Sequence, residues 1–141
     1  MSAKRGQPPP RQPESWVDRI DWPIVARSAS RGFTVLVLSD LLYLLVARLG
    51  PTIGLVWLVL GSAAAFAIAA WQAGPADSPE LTGAVSSVFS YTLSVPLVYM
   101  AERRIVWTYV LIFVVGAIIV GSLVGHYAAA KQAPEPKRRP K

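Results

Sequence analysis

Residues 105–129 read IVWTYVLIFVVGAIIVGSLVGHYAA, an apolar stretch that contains no Asp, Glu, Lys or Arg. A helix rises 1.5 Å per residue, so about 20 apolar residues cross the ~30 Å hydrocarbon layer of a bilayer. Three further apolar stretches precede it, over residues 33–49, 52–71 and 83–100. Backbone N–H and C=O groups in lipid must be paired within the protein, so these stretches predict an all-α integral membrane protein with four transmembrane helices.

Helix-breaking residues separate the four stretches. The first ends at Gly50-Pro51, which predicts a very tight hairpin, and the second ends before Gly74-Pro75. The third is the least apolar, because it carries five Ser and Thr side chains and Pro96, which is expected to kink the helix and free backbone carbonyls. We therefore expect one four-helix transmembrane domain over residues 32–130.

The two ends of the chain differ from this domain. Residues 1–14 and 131–141 are rich in Pro and basic residues and have no apolar pattern, so disordered tails are expected. Residues 15–31 contain Trp and Arg side chains and a Ser15/Asp18 pair that resembles a capping box, which predicts a short interfacial amphipathic helix. The alternative is that this segment extends the first span.

The positions of the Lys and Arg residues predict the orientation. Six of the 14 precede the first span, one follows it, two lie between the third and fourth spans, and five follow the fourth. Cytoplasmic segments carry the excess of basic residues, so both termini are expected in the cytoplasm, and the net charge of +6 is read as a topology signal, not as a nucleic-acid site. The preference for Arg over Lys, with abundant Ala, Val, Gly and Pro, is typical of a GC-rich genome and suggests a bacterial plasma membrane.

Composition excludes several kinds of chemistry. The absence of Cys excludes disulfides and thiolate sites, and a single His excludes a His-cluster metal site. No nucleophile–base pair, phosphate-binding glycine loop or paired carboxylate site can be assembled from the sequence. We therefore expect neither an enzyme nor a protein that needs a metal or cofactor.

One carboxylate, Asp40, lies near the middle of the first span. A charged side chain at that depth costs ~2.5–3.5 kcal/mol on insertion scales, so it is seldom kept without a partner or a use. Asp40 is either a proton- or cation-coupling site or a polar group that forms hydrogen bonds between helices, and the second interpretation is favoured. Ser86, Ser90 and Ser94 are its expected partners, because a spacing of four places them on one face of the third span. Simple packing is the preferred interpretation of the serines, since interhelical hydrogen bonds average only ~0.6 kcal/mol.

Small residues recur at every fourth position in two of the spans. They are Gly61, Ala65 and Ala69 in the second span, and Ala117, Gly121 and Gly125 in the fourth. Such rows let helix backbones approach closely, and Gly121 to Gly125 matches the GxxxG pattern. Packing within the four-helix unit is the preferred interpretation, and homodimerisation through the fourth span is the alternative.

Two resemblances accompany these features. Four spans in a short chain with an acid in the first span resemble the small multidrug-resistance transporters, although those proteins carry a glutamate where this chain has Asp40. The stretch Ile20-Asp21-Trp22-Pro23, followed by Arg27 and Arg31-Gly32 and then four spans, is more similar to small four-span membrane proteins of actinobacterial type. That second resemblance implies no activity.

The sequence therefore leaves two hypotheses for function. The first is a non-enzymatic accessory or self-associating subunit, whose partners are the lipid bilayer and either further copies or a larger membrane complex. The second is a small proton-coupled transporter that uses Asp40 together with the serine row.

Overall fold

A computed structural model describes residues 15–102 and 106–132, and every regular element in these ranges is helical. Helix α1 spans Trp22–Val46 and continues into a 3-10 turn over Ala47–Leu49; α2 spans Pro51–Trp71, α3 spans Pro79–Glu102 and α4 spans Trp107–Gln132. All four are long and apolar enough to cross a membrane. The prediction of an all-α protein with four transmembrane helices is confirmed. The predicted tails, 1–14 and most of 131–141, lie outside the described residues.

Helix α1 begins earlier than the predicted first span. The Asp21 carboxylate accepts a hydrogen bond from the Ile24 backbone N–H at 3.2 Å, and Pro23 stands in the first turn, where its missing N–H costs nothing. Ser15 and Asp18 also pair, since the Ser15 N–H and hydroxyl both donate to Asp18 Oδ2, but this contact holds a turn and starts no helix. Residues 22–31 are continuous with the span. Within residues 15–31 the structure shows turns and then α1, so the predicted separate interfacial helix is not confirmed.

The connection between α1 and α2 is as short as the Gly50-Pro51 pair predicts. Gly50 has φ 149° and ψ 149°, a backbone conformation that side chains with a Cβ rarely adopt. Pro51 follows directly as the first residue of α2, and the Gly54 N–H donates to Gly50 O at 3.0 Å. These two residues reverse the chain without a loop.

The four helices alternate in direction, so the start of α1 and the end of α4 lie at the same end of the bundle. We call this the terminal end; it holds Trp22, the 72–78 loop and Gln132, whose Nε2 donates to Trp71 O at 3.1 Å. The opposite end, with the 47–50 turn, is the hairpin end. Helices α2 and α3 contact each other and both outer helices, whereas α1 and α4 do not meet within the described residues.

Small side chains form most of the interior. Ala65, Ala69, Ala70 and Ala117 are fully buried, and Phe66 is the one large aromatic ring among the buried residues of the described ranges. Tyr91 packs against it edge-on and stacks on Phe113 with ring centres 5.7 Å apart. Burying apolar surface gives no hydrophobic free energy when the surrounding solvent is lipid. The van der Waals contacts that form where helix backbones approach closely stabilise the bundle instead.

Candidate functional site

The serine row of α3 lies in the interior of the bundle. Ser86 and Ser90 are fully buried and Ser94 is 4% exposed. Each hydroxyl donates to a carbonyl of its own helix: Ser86 to Thr82 O at 2.7 Å, Ser90 to Ser86 O at 2.9 Å, and Ser94 to Tyr91 O at 2.7 Å. Serine can pair in this way wherever it sits in a helix, so the row adds polar atoms to the interior without leaving them unpaired.

Two serines also connect α3 to its neighbours. Ser90 Oγ lies 3.0 Å from Ala29 O of α1, and Ser87 Oγ lies 3.1 Å from Phe66 O of α2. Ser87 stands beside the predicted row and was not among the expected site residues, although it makes the bond to α2. The two contacts are hydrogen bonds between helices, and their acceptors are main-chain carbonyls.

Asp40 lies away from these serines. Its side chain is exposed on α1, and within the described residues it forms no hydrogen bond or ion pair, so the expected Asp40–serine contact is not present. On α3, Tyr91 lies within electrostatic range of the carboxylate. The preceding residue, Ser39, faces inward: it packs against Gly61, and its carbonyl accepts from Trp57 Nε1 at 3.1 Å. Asp40 is the next residue along α1, so its side chain points in a different direction around the helix and lies outside the interior.

The small-residue rows lie at contacts between helices of the same chain. A Cβ added at Gly121 would stand 2.7 Å from Gly83 O and 2.8 Å from Ala84 Cα, and one at Gly125 would meet the Pro79 carbonyl. Both glycines of the GxxxG match therefore face α3. In the second span, Gly61 faces α1, and Ala65 and Ala69 are fully buried. The small-residue rows of α2 and α4 therefore pack against helices of the same chain.

A contact between Glu80 and His126 joins α3 and α4 at the terminal end. His126 Nδ1 lies 2.7 Å from Glu80 Oε1, and both side chains are mostly exposed. The sequence places Glu80 and His126 46 positions apart, and only the antiparallel α3/α4 packing brings them together. Such an exposed pair contributes little to stability and is best regarded as a surface contact.

The groove that the structure describes between α2 and α4 is apolar. An open groove of about 210 Å³ runs between α2 and α4 and is lined by apolar side chains, Ser62 and Gly116. No group of three or more His, Asp or Glu residues in these ranges is placed to hold a metal ion. Neither protein-family models, curated proteins nor solved structures gave a match to this chain.

Proposed function

We propose that this multi-pass membrane protein acts by association, as a non-enzymatic accessory or self-associating subunit. The observation that carries the proposal is the position of Asp40, a carboxylate on the outer surface of a transmembrane helix. A group of this kind is costly in lipid and is relieved by a partner. Since the described part of the chain supplies none, a second polypeptide is the natural source.

The depth of Asp40 strengthens the case. The apolar part of α1 is bounded by Arg31 and Arg48, both exposed, and Asp40 lies nine residues after the first and eight before the second. At 1.5 Å per residue these separations are about 13.5 and 12 Å along the helix axis. Arginines at both ends can reach headgroups, whereas the Asp40 side chain is too short to do so from the middle.

The membrane and the orientation belong to the same proposal. We place the protein in a bacterial plasma membrane, with the terminal end of the bundle in the cytoplasm because that end carries most of the basic residues. The chain has no native Cys, so single-Cys variants at Ser15, Lys131 and Arg48 can be labelled with an impermeant maleimide. Ser15→Cys and Lys131→Cys should react only after the membrane is opened, and Arg48→Cys should react from outside. Labelling of the first two from opposite sides would refute the topology.

Association is tested on the whole chain in lipid nanodiscs and native membrane extracts. Crosslinking and native mass spectrometry should give one discrete stoichiometry, of the chain with itself or with a copurifying membrane protein. Dilution with excess lipid separates specific assembly from crowding, because a specific complex keeps its stoichiometry. A strictly monomeric chain with no copurifying protein would refute the proposal.

The alternative, a small proton-coupled transporter, is favoured by one observation: Asp40 lies within electrostatic range of the Tyr91 hydroxyl, a second group able to exchange protons. Against it, the hydroxyls of Ser86, Ser90 and Ser94 are paired with carbonyls, and the α2/α4 groove is apolar. Proteoliposomes decide between the two. A pH-driven solute flux that Asp40→Asn abolishes would establish transport. The same flux in vesicles with and without the protein would refute the transporter hypothesis.

A further inference from the structure

We propose that α1 binds an anionic phospholipid at the terminal end, with the lipid phosphate between Arg27 and Arg31 and an acyl chain along the leucines that follow on the same side. We call this surface the arginine face; it consists of Arg27, Arg31, Thr34, Leu38 and Leu41. Asp40 lies about 140° around the helix from Arg27, since each residue turns the helix by about 100°. The arginine face is therefore separate from the surface on which the proposed association depends.

The packing of α1 against α2 sets the depth of the two arginines. Helix α2 has 21 residues, a length of about 32 Å at 1.5 Å per residue, which matches the ~30 Å hydrocarbon layer. A Cβ added at Gly32 of α1 would lie 2.8 Å from Ala69 Cβ, and α2 ends two residues later at Trp71. Arg31 therefore lies at the edge of the hydrocarbon, and Arg27 lies one turn further out, at the level of the headgroups.

The side chains of the arginine face follow the order of the groups in a phospholipid. Intervals of four, three, four and three residues keep all five within an arc of about 80°, and all five are exposed. Below the arginines, the Thr34 hydroxyl donates to Ser30 O at 3.0 Å, and its hydrogen is thereby paired within the helix. Leu38 and Leu41 come next, at the depth of acyl chains. The face thus presents charge to the headgroup and apolar side chains to the tail.

The charge of this face selects the headgroup. Helices α2 and α3 contain no Lys or Arg. The basic side chains of α4 at this end have neighbours of their own, since His126 lies 2.7 Å from Glu80 and Lys131 Nζ lies 5.6 Å from the centre of the Tyr127 ring. Guanidinium groups one turn apart can hold one phosphate, because each presents several N–H donors in a planar fork. A zwitterionic headgroup would add an ammonium group, which the arginines repel, whereas an anionic headgroup adds none.

Native mass spectrometry measures the preference on the full chain. The chain is released from nanodiscs that contain equal amounts of phosphatidylglycerol and phosphatidylcholine with the same acyl chains. We expect the retained lipid to be enriched in phosphatidylglycerol about fivefold for each arginine, and so about 25-fold in total, because each base near an anionic surface contributes ~1 kcal/mol. Glu14 and Glu135 lie outside the described residues and stay in the chain, so the measured enrichment includes any competition from their carboxylates.

Variants of the chain locate the lipid. Arg27→Gln and Arg31→Gln should each lower the enrichment about fivefold, and the double variant should show almost none. Arg19→Gln and Lys131→Gln are the matched controls, because each removes one positive charge at the same end but outside the arginine face, and both should keep the enrichment. An equal loss in all four single variants would mean that the net charge of this end attracts lipid, and it would overturn the proposed site.

Fluorescence quenching tests the position of the acyl chain. The chain has no native Cys, so a single fluorophore can be attached at Leu38→Cys, with Val115→Cys on α4 as the control because both side chains are 54% exposed. A nitroxide on the acyl chain of phosphatidylglycerol should quench the Leu38 fluorophore several times more strongly than the same nitroxide on phosphatidylcholine. At Val115 the two lipids should quench alike. Equal quenching by both lipids at Leu38, or no enrichment in the unsubstituted chain, would refute the site and leave the proposed association untouched.

Discussion

Adding a single methyl group at Gly121 should separate α3 from α4. The new Cβ would lie 2.7 Å from Gly83 O and 2.8 Å from Ala84 Cα, and both atoms belong to the backbone of a helix that cannot bend locally to make room. Ordinary carbon contacts begin near 3.4 Å, so the two helices must move apart by about 0.7 Å. Overpacking of this kind typically costs about 1–3 kcal/mol.

Gly116→Ala provides the matched control. Gly116 lies on the same helix, and a Cβ there would meet nothing within 4 Å. Both substitutions replace Gly by Ala within a helix and gain the same ~1 kcal/mol of helix propensity, so that contribution cancels between them. Gly121→Ala should therefore be less stable than Gly116→Ala by about 1–3 kcal/mol, or roughly 5- to 150-fold in the unfolding equilibrium constant.

Unfolding of the two variants in mixed detergent micelles, followed by circular dichroism as the denaturing detergent is increased, measures this difference. Equal free energies of unfolding would mean that α3 and α4 do not approach as closely as their glycines allow. A loss of stability in Gly116→Ala would mean that its surface is occupied, for example by another copy of the chain in the α2/α4 groove.

Two further predictions concern the hairpin and the interior hydroxyls. Gly50→Ala should destabilise the protein by about 1–3 kcal/mol, because its backbone conformation is nearly confined to glycine; the same unfolding assay checks this, and stability equal to that of the unsubstituted protein would show that the turn relaxes freely. Ser87→Ala and Ser90→Ala should each cost about 0.6 kcal/mol, the average for interhelical hydrogen bonds in membranes. Ser122→Ala, which breaks only a bond within its own helix, should cost less, and losses of several kcal/mol at Ser87 or Ser90 would contradict the view that these hydroxyls mainly aid packing.

Helix positions could be read from the sequence because lipid imposes a length and an apolar composition on any segment that crosses it. The second span was predicted over 52–71, and α2 spans Pro51–Trp71. Helix α1 begins before the predicted first span, since Arg27 and Arg31 end the apolar run although nothing there breaks the helix. Hydropathy marks where the hydrocarbon begins, whereas hydrogen bonding and caps decide where a helix begins.

The contacts of individual side chains were harder to predict. A four-residue spacing places Ser86, Ser90 and Ser94 on one face, but which carbonyl each hydroxyl meets depends on how the helices are arranged. For Asp40, a usable signal was present in α1: small residues at Ser28, Ala29, Gly32 and Ser39 mark the side where neighbouring backbones approach. Asp40 stands at the margin of that side, so an exposed position could have been inferred without the structure.

The buried polar side chains argue that the interior serves packing and the surface serves function. In the described ranges they are all Ser or Thr, and none carries a charge. Hydroxyls that donate to nearby carbonyls can hold helices together, but they neither store charge nor change protonation state near neutral pH. The carboxylate that can do both lies on the surface of α1 instead. If the fold needed Asp40, replacing it with leucine should weaken the isolated chain; if Asp40 exists to meet another polypeptide, the isolated chain should gain stability in lipid and lose only its partner.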